Sequence, residues 1–108
     1  MKFKHKMVLI GVLVAGSAQA QFKTGNQLYS QMQGNQMEQM NAIGYVQGVS
    51  DAFQGAVACI PTTVTAGQVY DMTKLHVQNN PTDRNLSADF LIMQVLRAAW
   101  PCKKGSGI

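Results

Sequence analysis

The sequence has few charged, aromatic and cysteine residues, and these shortages exclude several classes of protein. Of its 108 residues, 13% are charged and 7% are aromatic, and there are only two cysteines. Three of its nine basic residues lie within the first six positions, which leaves six basic residues against five acidic ones. Because no large basic cluster remains to follow a phosphate backbone, we expect no nucleic-acid binding.

The first twenty residues have the pattern of a secretory signal peptide. Three lysines precede an apolar run at residues 7–15, and Ala18 and Ala20 match an A-x-A cleavage site. The apolar run is shorter than the roughly 20 residues of a membrane helix, and no second run of that length follows. We expect residues 1–20 to be cleaved after Ala20, and residues 21–108 to form one periplasmic domain without a membrane segment.

The remaining chain offers no set of residues suited to catalysis. It contains one histidine, His76, and five scattered acidic residues. An enzyme would need a nucleophile with a base, or paired carboxylates in a pocket. His76 has no other ligand at suitable spacing, so we expect it to face solvent or to bond locally. We therefore predict a protein that is not an enzyme and has no cofactor.

Three methionines near one another raise the question of a metal site. Met32, Met37 and Met40 carry soft thioethers of the kind that suits Cu(I). Their spacing also fits the filling of a helical core, for which methionine is well suited. We favour core packing and predict no metal site.

Apolar spacing predicts four helices, and no segment alternates for long enough to indicate a strand. Thr24 is a plausible N-cap for the first helix, and Thr65 with Gln68 forms a T-x-x-Q capping box for the third. The predicted helices lie within residues 24–33, at about residues 36–58, from Thr65 to Asn79-Asn80-Pro81, and from Ser87 to Pro101.

The second helix carries two patterns that predict its packing. One is an apolar face at three- and four-residue steps: Met37, Met40, Ile43, Val46, Val49, Phe53 and Val57. The other is a strip of small residues on a neighbouring face: Gly44, Gly48, Ala52 and Gly55. We expect another helix to pack closely against the small strip, and Pro61 to end the helix.

Each cysteine lies where a helix is expected to end. Cys59 follows the second helix and Cys102 the fourth, and short connections would place these two helices parallel. Their C-terminal ends then lie together, so we predict a Cys59–Cys102 disulfide in an exported domain. It would close residues 59–102, for which the chain-entropy model gives about 4 kcal/mol. The predicted fold is all-α: a small up-down bundle of about four helices with one disulfide.

The motif order GYVQGVSDAF, CIP, VTAGQVYDMTKLHVQNNP and VLRAAWPC resembles the Rap/Tai family of periplasmic immunity proteins, associated with bacterial type VI secretion. The matching family positions are Gly44, Tyr45, Gly48, Asp51, Pro61, Gly67, Gln68, Pro81 and Pro101. The resemblance implies an exported helical protein, often a homodimer, that binds and inhibits a cell-wall amidase toxin. Tyr45 and Asp51 would then be partner contacts or residues with local structural bonds.

The sequence departs from the family by lacking two further cysteines that members often carry. The corresponding stretches, residues 29–32 and 40–43, contain none. We therefore expect the first helix to be less firmly tied to the second. The function that the resemblance favours is protein–protein binding, as an immunity protein that neutralises a type VI secretion cell-wall amidase toxin. An alternative function is a small periplasmic stress chaperone, or an accessory binding protein without a toxin partner.

A polar loop between the third and fourth helices is the candidate for partner contact. Its candidate residues are Asn79, Asn80, Thr82, Asp83 and Arg84. Loops on a rigid scaffold often carry recognition, and Pro81 limits the freedom of this one. An ordinary solvated connector is the alternative interpretation.

Overall fold

The computed structural model describes residues 22–103; the predicted signal peptide lies outside the described residues. Within that range the protein forms four α-helices, which we number in chain order. They are α1 (Gly25–Met32), α2 (Gln36–Phe53), α3 (Ala66–Asn79) and α4 (Ala88–Ala99), with a short 3₁₀ helix at Pro81–Asp83. Residues 22–103 form no β-strand beyond isolated bridges. The predicted all-α fold is confirmed.

Three of the four helices begin with a reciprocal capping box. In each, the N-cap side chain accepts from a backbone N–H three residues later, and that residue's side chain accepts from the N-cap N–H. The pairs are Thr24 with Gln27, Asn35 with Glu38, and Thr65 with Gln68. The predicted Thr24 and Thr65 caps are confirmed. Ser87 is the N-cap of α4, but its side chain makes no capping hydrogen bond.

Helix α2 ends at Phe53, so the predicted end near residue 58 is wrong. The chain leaves the helix at Gln54, whose backbone is extended (φ −61°, ψ 125°), and Gly55 continues the turn with a φ of 84°, in the left-handed region that glycine occupies most easily. The Gln54 side chain then bonds both the N–H and the carbonyl of Ile60, at 2.8 and 2.9 Å. Pro61 therefore follows a turn that is already closed and does not end the helix.

Buried side chains from all four helices form one core. Its members include Leu28, Met32, Ala42, Val46, Val69, Val77, Ala88, Leu91, Ile92 and Leu96. The buried hydroxyls of Ser50 and Thr73 donate to the carbonyls four residues earlier, at 2.7 and 2.9 Å. Among residues 22–103, these bonds leave no buried hydroxyl without a partner.

The predicted inward face of α2 is only partly correct. Val46 is buried, and Val49 and Phe53 pack against the core. Met37 and Met40, however, are 73% and 63% exposed, so the prediction that they fill the core is wrong. The buried residues Ala42, Val46 and Ser50 define an inward face rotated away from these methionines.

No helix packs against the small-residue strip of α2 within residues 22–103. A Cβ built on Gly44 or Gly48 would meet no atom within 4 Å, so the predicted close packing is wrong. The close approach occurs instead at Gly25, where a Cβ would lie 2.5 Å from Leu91 Cδ1 and 2.8 Å from the Arg84 carbonyl oxygen. Gly25 therefore lets the start of α1 pack against the segment leading into α4.

Backbone hydrogen bonds tie α1 to that segment. Gly25 N–H donates to the Leu86 carbonyl at 2.8 Å, and Asn26 N–H donates to the Arg84 carbonyl at 2.7 Å. In return, Ala88 N–H donates to the Lys23 carbonyl at 2.7 Å. Helix α1 is thus held without the additional cysteines of the family.

The predicted disulfide joins the segments that follow α2 and α4. The Cα atoms of Cys59 and Cys102 are 4.9 Å apart, and Cys59 N–H donates to the Trp100 carbonyl at 2.8 Å. The two cysteines do not lie at helix ends as expected, since Cys59 comes six residues after α2 and Cys102 three residues after α4. The pairing is nevertheless confirmed, because both segments reach the same end of the bundle.

Candidate functional site

Arg84 fixes the loop between α3 and α4 from inside. Its Nε donates to the Val77 carbonyl at 2.7 Å, and its Nη2 donates to the Gln78 carbonyl at 2.9 Å. These carbonyls belong to the last turn of α3, where helix groups lack partners and a positive charge is favourable. The guanidinium also lies 4.0 Å from the centre of the Tyr29 ring, which links the loop to α1.

Asn80 holds the start of the same loop. Its Nδ2 donates to the His76 carbonyl at 2.7 Å and lies 3.3 Å from His76 Nδ1. As expected, His76 bonds locally, although its Nε2 is buried without a partner among the described residues. Asp83 is half-buried, and its N–H donates to the Asn80 carbonyl at 3.0 Å.

The loop therefore divides the five candidate residues into two groups. Asn80, Asp83 and Arg84 are partly buried and shape the loop, whereas Asn79 and Thr82 are exposed. Pro81, between them in the chain, is exposed as well. The side chains free to contact a partner form an exposed tip, which we define as Asn79, Pro81 and Thr82.

An apolar groove adjoins this loop and was not expected from the sequence. It lies between α3 and α4, has a volume of about 440 Å³, and includes Asn79 and Asn80 at its polar edge. Its apolar lining includes Met72, Leu75 and Ala98, and Leu75 is 58% exposed. The sequence signal for this groove is weak, because the spacing of Val69, Met72 and Leu75 also fits the buried face of a helix. We call it the α3–α4 groove.

Of the family positions on α2, Tyr45 is partly buried and Asp51 is exposed. Tyr45 packs against the core, and Lys23 Nζ lies 5.3 Å from the centre of its ring. Burial and then the negative charge of Asp89 raise the pKa of the Tyr45 hydroxyl. These contacts agree with a packing role for Tyr45, and its role as a partner contact stays a prediction.

Asp51 lies on the exposed side of α2, away from the buried Val46. Its side chain makes no hydrogen bond or ion pair with any residue between 22 and 103. Positions 37, 40, 44, 48 and 51 follow one another at three- and four-residue steps and are all exposed. We call Met37, Met40, Gly44, Gly48 and Asp51 the outer face of α2.

The other family positions lie at turns and helix ends. Gln68 completes the capping box of α3, next to the exposed Gly67. Pro61 follows the turn clamped by Gln54, and Pro101 lies directly before Cys102. The structure does not gather these residues into one site, and their contacts shape the fold.

The chemistry of the described residues gives no metal cluster of the usual kind. Residues 22–103 contain no group of three or more His, Cys, Asp or Glu side chains that could hold a metal ion. Within the same range, no helix is both long enough and apolar enough to cross a membrane.

Comparison with known families agrees with the motif order noted above. The family model of Rap1a immunity proteins matches residues 24–102, a range that includes all four helices and both cysteines. No curated protein matches the chain. Members of an immunity protein family bind a protein toxin, are generally not enzymes and are typically exported. The chain therefore belongs to the Rap1a immunity protein family.

Proposed function

We propose that the protein is exported to the periplasm and neutralises a peptidoglycan amidase toxin delivered by type VI secretion. The observation that carries this proposal is the family match across residues 24–102. The leader at residues 1–20, cleaved after Ala20, would place the domain in the compartment that contains peptidoglycan. The amidase target is supported by the resemblance of the motif order to the Rap/Tai proteins.

The loop between α3 and α4 is our proposed contact with the toxin. Its backbone is held by Arg84 and Asn80, so little conformational freedom would be lost on binding. The exposed tip is polar, and the α3–α4 groove beside it is largely apolar. An apolar centre with a polar rim is the usual anatomy of a protein–protein interface.

The proposal is tested with an amidase encoded beside this gene. The purified domain is expected to bind the amidase, to stop its hydrolysis of peptidoglycan, and to protect cells in which the amidase is directed to the periplasm. Calorimetry, release of peptidoglycan fragments and cell survival measure the three effects. If none of the neighbouring hydrolases is bound or inhibited, the immunity role is wrong.

Two matched threonines test whether the toxin contacts the loop or another part of the surface. Thr82 follows Pro81 in the loop, and Thr62 follows Pro61 in the connection before α3; both threonines are exposed. Thr82→Arg is expected to weaken toxin binding at least about tenfold, because a bulky charge would lie at the contact. Thr62→Arg is the control and should bind like the wild type. Equal affinities for both variants would show that the toxin contacts another part of the surface. That result would not contradict the immunity role.

A homodimer is a further part of the proposal and is supported by the same resemblance. Sedimentation analysis of the domain over a range of concentrations measures it, and a monomer at every concentration would contradict it. We do not propose the chaperone alternative, since it depended on a loosely held first helix. Leu28 and Met32 of α1 are buried, and backbone bonds hold the helix start.

A further inference from the structure

Two methionines of α2 are exposed and have no packing role among residues 22–103. Met37 is 73% exposed and Met40 is 63% exposed, whereas Met32 of α1 is 1% exposed. Both exposed methionines line a shallow depression of about 520 Å³ at the start of α2, together with Asn35, Gln36 and Asn41. Packing in the core accounts for Met32 but not for Met37 and Met40, as far as residues 22–103 are concerned.

Met37 and Met40 are three residues apart on α2, so their side chains leave the same part of the helix surface. Residues three apart on a helix are surface neighbours, with Cβ atoms about 5–6 Å apart, and the flexible methionine side chain can close the remaining distance. The first turn is also well fixed. Asn35 and Glu38 form a capping box with two 2.9 Å bonds, and Gln39 Nε2 donates to the Gly34 carbonyl at 2.8 Å.

We propose that Met37 and Met40 form a binding site for a soft monovalent cation, Cu(I) or Ag(I). Thioether sulfur is a soft ligand that selects such ions over harder ones. It carries no proton, so binding requires no deprotonation. The site is independent of the proposed immunity function.

The surrounding charge is compatible with a bound cation. Glu38 is the one charged residue between positions 24 and 50 of the sequence, so no lysine or arginine of that stretch repels the ion. Its carboxylate, between the two methionines in sequence, offsets the positive end of the helix dipole. Cys59 and Cys102 are joined to each other, and neither offers a thiolate to compete for the ion.

Titration of the disulfide-bonded protein with silver nitrate, and anaerobically with a Cu(I)–acetonitrile complex, tests the site. Methionine methyl signals in an NMR spectrum report which sulfur binds. We expect one Ag(I) per chain, with shifts confined to Met37 and Met40, and the same two signals to move with Cu(I). Zn(II) should leave both unchanged. Absence of Ag(I) binding, or shifts at other methionines only, would overturn the proposal.

Leucine substitutions separate sulfur chemistry from hydrophobic contact. Met37→Leu with Met40→Leu keeps an apolar, exposed pair but removes both ligands, and we expect Ag(I) affinity to fall at least about tenfold. Met72→Leu is the control, since Met72 lies in the α3–α4 groove, and it should bind Ag(I) like the wild type. The helical circular dichroism of all variants should be unchanged. Undiminished binding by the double variant would refute the site.

Discussion

Glycines of this chain differ in what their missing side chain permits. Gly25 allows α1 to approach Leu91 and the Arg84 backbone, and Gly55 adopts a left-handed conformation in the turn after α2. Gly44 and Gly48 do neither, since they lie mid-helix with open space beside them. Each of these two glycines therefore adds conformational entropy to the unfolded chain. No contact among residues 22–103 of the folded domain requires a glycine there.

Replacing the open glycines is expected to stabilise the domain. Gly44→Ala and Gly48→Ala should each raise the free energy of unfolding by about 0.5–1 kcal/mol, because alanine is the better helix former and meets no neighbour. Gly55→Ala is the matched control and should lower it by about 1 kcal/mol, because φ is 84° there. Urea unfolding measures all three. A loss of stability in Gly44→Ala or Gly48→Ala would show that this strip is covered, for instance by a second copy.

Because of Tyr45, the free energy of unfolding should depend on pH in the alkaline range. Its pKa is raised in the folded protein, chiefly by burial and also by the charge of Asp89. The unfolded chain ionises near the ordinary value of about 10, before the folded one does. The free energy of unfolding should therefore fall as pH rises through 10 towards the folded pKa. Tyr45→Phe should show a shallower fall in denaturation experiments.

Asp89→Asn provides the control for this assignment. Removing the negative charge while keeping the side-chain shape should move the Tyr45 titration towards lower pH, as measured by phenol absorbance against the Tyr45→Phe spectrum. A titration that does not move would leave burial as the whole cause of the shift. Tyr70, whose pKa is raised by burial and then by Asp71, should still titrate in both variants.

Helix starts could be predicted from the sequence more reliably than helix ends or faces. Starts depend on local chemistry, as the Thr65–Gln68 capping box shows. The end of α2 depends on the conformation of Gly55, which the apolar spacing through Val57 concealed. Which face of α2 is covered depends on distant elements: the core covers Ala42, Val46 and Ser50. Met37 and Met40 lie on the other side of the helix and stay exposed.

The N-cap residues Thr65 and Ser87 give a direct test at the level of the helix. Thr65→Ala should lower the free energy of unfolding by about 1 kcal/mol, because its hydroxyl accepts from Gln68 N–H at 3.1 Å. Ser87→Ala should cost clearly less, because the Ser87 side chain makes no capping bond. Chemical denaturation of both variants measures the two losses in the free energy of unfolding. Equal losses would mean that the Ser87 hydroxyl caps α4 in solution.

Across the whole molecule, α4 is held at both ends. Its start is joined to α1 by backbone bonds around Gly25 and Ala88, and the segment after it is joined to Cys59. The helical class and the disulfide could be predicted, since two cysteines have only one possible intramolecular pairing. The exposed tip could not, because Arg84 looks like a partner contact until its bonds to Val77 and Gln78 are seen.

The disulfide is expected to supply a large share of the stability of the folded domain. It closes residues 59–102, which contain α3 and α4, so it restricts the unfolded chain strongly. Cys59→Ala with Cys102→Ala should lower the free energy of unfolding by about 4 kcal/mol, against about 5–10 kcal/mol expected for such a domain. Urea unfolding with and without reductant measures this, with the double variant as the control that reductant must not affect. If oxidised wild type and the double variant unfold at the same urea concentration, the α1–α4 junction and the core hold the bundle without the covalent bond.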